Sequence, residues 1–277
     1  MRTLTTLLLL GGLTAAAARQ TAPAEDAVRE EFFVLETVPE DLDPHSAESL
    51  EAPRAEARAV GLVAWRRRDD ADGTLLEQDV RFPEEEARVL HIERHAQAGP
   101  TLVWREWRPD RGRTVIVEPA EQGGGFRVLE WGQEEPLRAE LEADTVFPLS
   151  LLERIRAGDL AAGSVRVYDP LSGRAEPLTV REVGPAATAR PAAAPVEAVE
   201  AAAGEEPAPA PRRVVELVRE DGSLAGAYVL AGDGVRAFQV QAGRLRARRI
   251  EPAEYRRRLD EHPPAPAEEP PPADTRD

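Results

Sequence analysis

From Val60 to Ile250 the chain is mostly a succession of short segments rich in β-branched and aromatic residues, cut at near-regular intervals by turn formers. "VGLVAW", "TLLEQDVRF", "ARVLHIERH", "TLVWREWR", "RTVIVEP" and "FRVLEWG" follow one another. Asp72-Gly73, Gly99-Pro100 and Gly123-Gly124-Gly125 are among the breaks between them. Strand-length segments joined by such short turns pair with their neighbours in sequence. "SVRVYD" and "EPLTVREV" continue the pattern. "VVELVRE", "LAGAYVLA", "VRAFQVQ" and "RLRARRI" follow, with turns at Asp221-Gly222, Asp233-Gly234 and Ala242-Gly243. The expectation is a mainly β protein, an antiparallel meander.

One segment breaks the pattern. "DTVFPLSLLERIRAG", residues 144–158, reads as an amphipathic helix. Pro148 suits a first turn, where its missing N–H costs nothing. Leu151, Leu152 and Ile155 fall on one face, with Glu153, Arg154 and Arg156 elsewhere. Gly158 is placed to end it. A second, shorter helix is expected at "PAEYRRRLDEH", with Pro252 near its start.

The ends and one internal stretch differ in composition. Arg2, the apolar run Leu4 to Leu13 and the small residues Ala15 to Ala18 read as a signal peptide over 1–18, with an apolar core too short to span a bilayer well. Residues 19–57 are acidic and proline-punctuated, and read as partly disordered. Within them "EDAVREEFFVLETV" suggests a short helix with Val28, Phe32 and Leu35 on one face. Residues 184–211 are Ala/Pro/Glu-rich, and the tail 263–277 is proline-rich and acidic. Neither has the apolar bulk to offset ordering entropy, so both read as disordered. The plan adopted is one β domain over 58–262, interrupted by the insert, over the alternative of two domains.

Composition narrows the function. The chain has no cysteine, which excludes disulfides, a thiol nucleophile, thiolate metal ligands and a lipid attached through cysteine. A net charge of −16 argues against nucleic acid or an anionic membrane surface as partner. All the basic residues are arginine, spread along the chain, which fits a codon bias better than a binding patch.

Sites of chemistry are scarce. His91 and His95 are four apart, which on a helix makes a metal pair; on a strand they stand two repeats apart, and no metal is expected. "GDGVRA" at 232–237 has a strand, not a helix, after it, and so reads as a hairpin instead of a dinucleotide loop. "QGGGF" lacks a lysine to hold phosphate. No GxSxG elbow is present, and no carboxylate pair stands out. Trp65, Trp104, Trp107 and Trp131 all fall in strand segments and read as packing residues. The expectation is a non-enzyme with no catalytic residue and no cofactor.

The order of elements resembles the periplasmic half-barrel superfamily of LolA/LolB-like lipoprotein carriers and related exported proteins. The resemblance rests on the long meander, the helix "PLSLLERIRAG", the strand "GSVRVYDP" after it and the further hairpins. It covers roughly 58–260 and is architectural, so it carries over no functional residue. It implies a curved sheet around a helix, formed here by Val146, Phe147, Leu151, Leu152 and Ile155. That helix either completes the core or borders a lipid cavity. The implied function is a periplasmic or secreted protein without a transmembrane anchor, binding a lipid or another apolar ligand. The alternative is an envelope structural or interaction protein with a filled core. If a ligand is held, Leu151, Leu152 and Ile155 would line its site. Arg244, Arg246 and Arg248, alternating on one strand face and followed by Arg249, would meet a headgroup.

Overall fold

The computed structural model describes residues 28–38, 43–54, 56–120, 124–132, 138–160, 163–183, 212–240 and 245–261. The signal peptide, the insert 184–211 and the tail from 263 lie outside these residues. The elements in chain order are β1 (Val28–Thr37), α1 (Ala47–Glu51), β2 (Ala59–Asp70), β3 (Gly73–Phe82), β4 (Ala87–Ala96), β5 (Gly99–Arg108), β6 (Arg111–Pro119), β7 (Gly125–Trp131) and β8 (Arg138–Glu142). Then come α2 (Pro148–Ala157), β9 (Gly163–Asp169), β10 (Arg174–Val183), β11 (Arg212–Val218), β12 (Leu224–Ala231), β13 (Gly234–Val240), β14 (Leu245–Ile250) and α3 (Pro252–Glu261).

The strands form one 14-stranded sheet in the order β8-β7-β6-β5-β4-β3-β2-β1-β14-β13-β12-β11-β10-β9. Every neighbouring pair is antiparallel. From β1, in the middle of the sheet, the strands run in order to the β8 edge, resume at the β9 edge and return to close β14 on β1. The strands on either side of 184–211 are hydrogen-bonded neighbours, with Val183 opposite Val214.

That topology forces curvature. Laid flat, fourteen strands at ~4.8 Å spacing would hold the two edges ~60 Å apart. Yet Val146, four residues past the end of β8, is already bonded to β9. Its N–H donates to the Arg166 carbonyl (2.8 Å), and its carbonyl accepts from Tyr168 N–H (3.0 Å). Four residues reach at most ~14 Å, so the sheet curls until its edges approach. They do not pair with each other, and the sheet stays open. Tyr168 of β9 is packed with Trp104, Val115 and Val128 of β5 to β7, across that gap.

The segment 28–37, expected as a helix, is a central strand. "FFVL" is a contiguous apolar run, buried on both sides of the sheet. Phe33 and Leu35 face the side that carries α2, while Phe32 and Val34 face the side that carries α3. A run of this length has no period that separates strand from helix, and the helical spacing of Val28, Phe32 and Leu35 was coincidental. Val28 is in fact exposed. β8 also went unread, because "RAELE" is polar and carries little strand signal.

α2 spans Pro148 to Ala157, with Phe147 as the extended residue before it and Gly158 at φ +74° as its left-handed cap. Leu151, Leu152 and Ile155 are buried in one cluster with Phe33, Trp65, Val180, Val215 and Phe238. On the other side of the sheet α1 packs Leu50 on Val214, Ala227, Val229 and Ala237, and α3 packs Tyr255 on Phe32, Ala64 and Ile250. Among the described residues no helix is long and apolar enough to cross a membrane.

Burial of each of Leu151, Leu152 and Ile155 is worth roughly 2 kcal/mol. Leu152→Asp is therefore expected to cost several kcal/mol in urea unfolding. Arg154→Asp, at an exposed position, should change stability by under ~1 kcal/mol. Equal losses would mean that the buried face of α2 is misassigned.

Candidate functional site

The chemistry-bearing groups gather where α2 meets the sheet. His91, Glu93 and His95 alternate along β4 and so project to one side, toward the N-terminus of α2. Glu93 is fully buried. Its carboxylate accepts the backbone N–H of Leu149 and of Ser150, each at 2.7 Å, and the Ser150 hydroxyl. His91 Nε2 lies 2.9 Å from Glu93 Oε1, and His95 Nε2 lies 2.7 Å from Ser150 Oγ. With the hydroxyl proton turned to Glu93, His95 is the donor to Ser150. Burial alone would push the Glu93 carboxyl up. The close approach of His91, the nearby His95 and the hydrogen bond from the Ser150 hydroxyl outweigh it and hold the pKa down at about 2. The free N–H groups and positive end of a helix suit such an anion.

A serine, a histidine and a carboxylate thus meet, 55 and 57 residues apart in sequence. Their geometry is not that of a nucleophilic triad. Glu93 accepts the Ser150 hydroxyl hydrogen bond itself and sits on the Nε2 side of His95, instead of orienting its Nδ1. The two backbone N–H groups that would cradle an oxyanion are occupied by Glu93. Among the described residues no group of three or more His, Asp or Glu is arranged to hold a metal ion.

The rest of α2 is tied as firmly. Arg156 reaches the buried Glu31 of β1, which Arg29 and Arg249 also approach. Arg156 stacks over Trp65 as well, at 5.5 Å from the ring centre. Glu153 bonds Arg67 of β2 at 2.7 Å. At the C-terminal end Arg213 of β11 donates to the carbonyls of Ile155 (2.9 Å), which also accepts the Gly158 N–H, and Arg156 (3.1 Å).

The sequence-based ligand residues do not converge. Leu151, Leu152 and Ile155 lie together in the core. Arg246 and Arg248 lie on the opposite side of the sheet. Arg246 is wholly buried, bonded to Glu36 at 3.0 Å and to the Ser49 carbonyl at 3.2 Å, where it helps to hold α1. Arg248 reaches the same Glu36 at 3.3 Å. Ala247, between them, faces α2. Arg244 lies outside the described residues. Of the tryptophans, Trp65 and Trp104 are buried, Trp107 is half-buried beneath Arg88, and Trp131 is exposed.

Space around α2 is uneven. Between α2 and Trp65 and Leu76 the free volume is only ≈ 20 Å³, room for about one water. At the C-terminal end of α2 a recess of ≈ 160 Å³ opens. Ile155, Leu160, Val180 and Val215 line it, with Arg213 and Glu182 at its lip. Gly158 borders it, and the place where a side chain would stand there is open. No sequence signal marks this recess, because its lining comes from three separate segments. Comparison with protein-family models, curated proteins and solved structures finds no match.

The Glu93 cap has a testable pH signature. Its carboxyl is depressed from 4.5 to about 2 in the fold. It therefore contributes fully above pH ~4.5, and the contribution fades as pH falls toward 2, a swing of roughly 3 kcal/mol. Glu93→Gln should lower the urea midpoint at neutral pH and lose less stability than the parent between pH 5 and 2. Parallel pH profiles for the two proteins would rule out Glu93 as an ionised cap.

Proposed function

We propose that this chain is a non-enzymatic, exported binding protein of the cell envelope, holding a small apolar group in the recess at the C-terminal end of α2. The observation that carries the proposal is the recess itself. Its volume, ≈ 160 Å³, with aliphatic walls from Ile155, Leu160, Val180 and Val215, matches cavities that accept benzene. The signal-peptide reading of 1–18 supports export, and the absence of cysteine supports a soluble form over a lipid-anchored one. Glu93 consumes the only serine–histidine–carboxylate contact found among the described residues, which supports the non-enzymatic reading. The resemblance to LolA-like half-barrels supports reading α2 as the filling of a concave sheet.

A long acyl chain does not suit this reading. Entry along α2 would require parting Glu93, Glu31, Arg67 and Arg213 from the helix. These same ties, with the ≈ 20 Å³ beneath the helix, favour a second reading, an envelope structural or interaction protein with a filled core and no ligand.

Benzene titration followed by methyl NMR separates the two readings. Binding should shift the methyl signals of Ile155, Leu160, Val180 and Val215. Val180→Phe, which fills the recess, should abolish the shifts while the protein stays folded. Unchanged methyl signals at saturating benzene would leave the filled-core reading.

A further inference from the structure

We propose that the ligand of this recess carries a carboxylate on an apolar group of about six carbons, and that Arg213 is the residue that selects it. The inference rests on the binding reading above and adds the headgroup. The volume sets the tail, since an apolar cavity of about 150 Å³ accepts benzene. The lip sets the head. Arg213 stands there with its side chain 27 % exposed. One terminal nitrogen is spent on the Ile155 and Arg156 carbonyls. The other, Nη1, lies 3.8 Å from Glu182, an ion pair too long for a hydrogen bond and the one acceptor found for it among the described residues. Glu182 is itself 54 % exposed.

The surroundings explain why a cation is needed there. The C-terminal end of α2 is the negative end of its dipole, and its carbonyls border the recess. Without Arg213 that end would repel an anion. Arg213 covers those carbonyls and turns its remaining donors to the lip, where a carboxylate can accept them over the aliphatic floor. Gly158 contributes open space beside them. Glu182 then acts as the resident anion that a ligand carboxylate displaces. A guanidinium is suited to that exchange because its donors lie in a fixed plane that matches a carboxylate.

The experiment compares hexanoate, hexanol and hexylamine on the full chain, with the same methyl signals and calorimetry as readouts. Hexanoate is expected to bind at least tenfold more tightly than hexanol, and hexylamine no more tightly than hexanol. Glu182→Gln, which removes the competing anion, should tighten hexanoate and leave hexanol unchanged. Arg213→Gln should erase the preference for hexanoate; benzene binding by the same variant checks that the recess has survived loss of the α2 cap. Equal affinity for hexanoate and hexanol, or a preference for hexylamine, overturns the headgroup assignment while benzene binding stands. Failure of benzene as well overturns the recess itself.

Discussion

The whole molecule follows from joining the two edges of one sheet by a short piece of chain. β8 and β9 are consecutive in sequence and at opposite ends of the strand order. Only a strongly curled sheet allows that, and the right-handed twist of antiparallel strands supplies the tendency. Curling gives one face a concavity that strand side chains alone do not fill. The connecting segment fills it: Phe147 packs with Trp104 and Phe126 on one side, while Leu151, Leu152 and Ile155 pack with the β1 and β9 to β13 side chains. Val146 then stands beside β9 and spares that edge some of its unpaired backbone groups. One linker therefore provides the cross-connection, part of the core and part of the edge protection.

The curled interior is not purely apolar, and its charges are matched one by one. Glu31, Glu93 and Glu130 are all buried on the side that carries α2, facing Arg156, the histidines and Arg113 respectively. Across the sheet Glu36 is matched by Arg246, Asp79 by Arg81 and Arg88, and Glu216 by Arg181 and His45. Such pairs add little net stability over apolar packing, because desolvation offsets their attraction, but breaking one is costly. Their effect is directional. Apolar contacts hold α2 against the sheet, and the polar ties decide how far along it the helix sits and which way it points. An arginine-only basic set suits this, since a guanidinium serves several acceptors at once, as Arg213 and Arg246 do.

Much of the sheet was legible because its strands carry their own turns. The loop at "ADG" shows the limit: the strands meet at Asp70 and Gly73, so the two loop residues are Ala71 and Asp72, one position earlier than the Asp-Gly signal suggests. Gly73 is the residue with φ +136°, where a Cβ would strike the His95 carbonyl. β1 was illegible for a physical reason: a strand buried on both faces has lost the alternation that identifies strands. The Glu93 site was illegible because "RVLHIERH" states only that His91, Glu93 and His95 share a face. What they face is set by a helix more than fifty residues away, and the hydrogen bonds to Leu149 and Ser150 leave no trace in either segment alone.

The arginines show why shared parity along a strand is half an answer. Arg246 and Arg248 do lie on one face, but period-two alternation leaves open which face that is. Ala247 decides it. In "LRARRI" the small apolar residue takes the crowded side beneath α2, next to Phe238, and the flanking arginines are sent to the other side. Arg213 obeys the same rule with the opposite result. In "RRVVELV" it shares parity with Val215 and Leu217, which are core residues beside α2, so its guanidinium arrives at the helix end. Arg213 reaches the concave side near the start of β11, where the apolar floor gives way to the carbonyls that end α2. That position ties helix capping and headgroup selection to a single side chain.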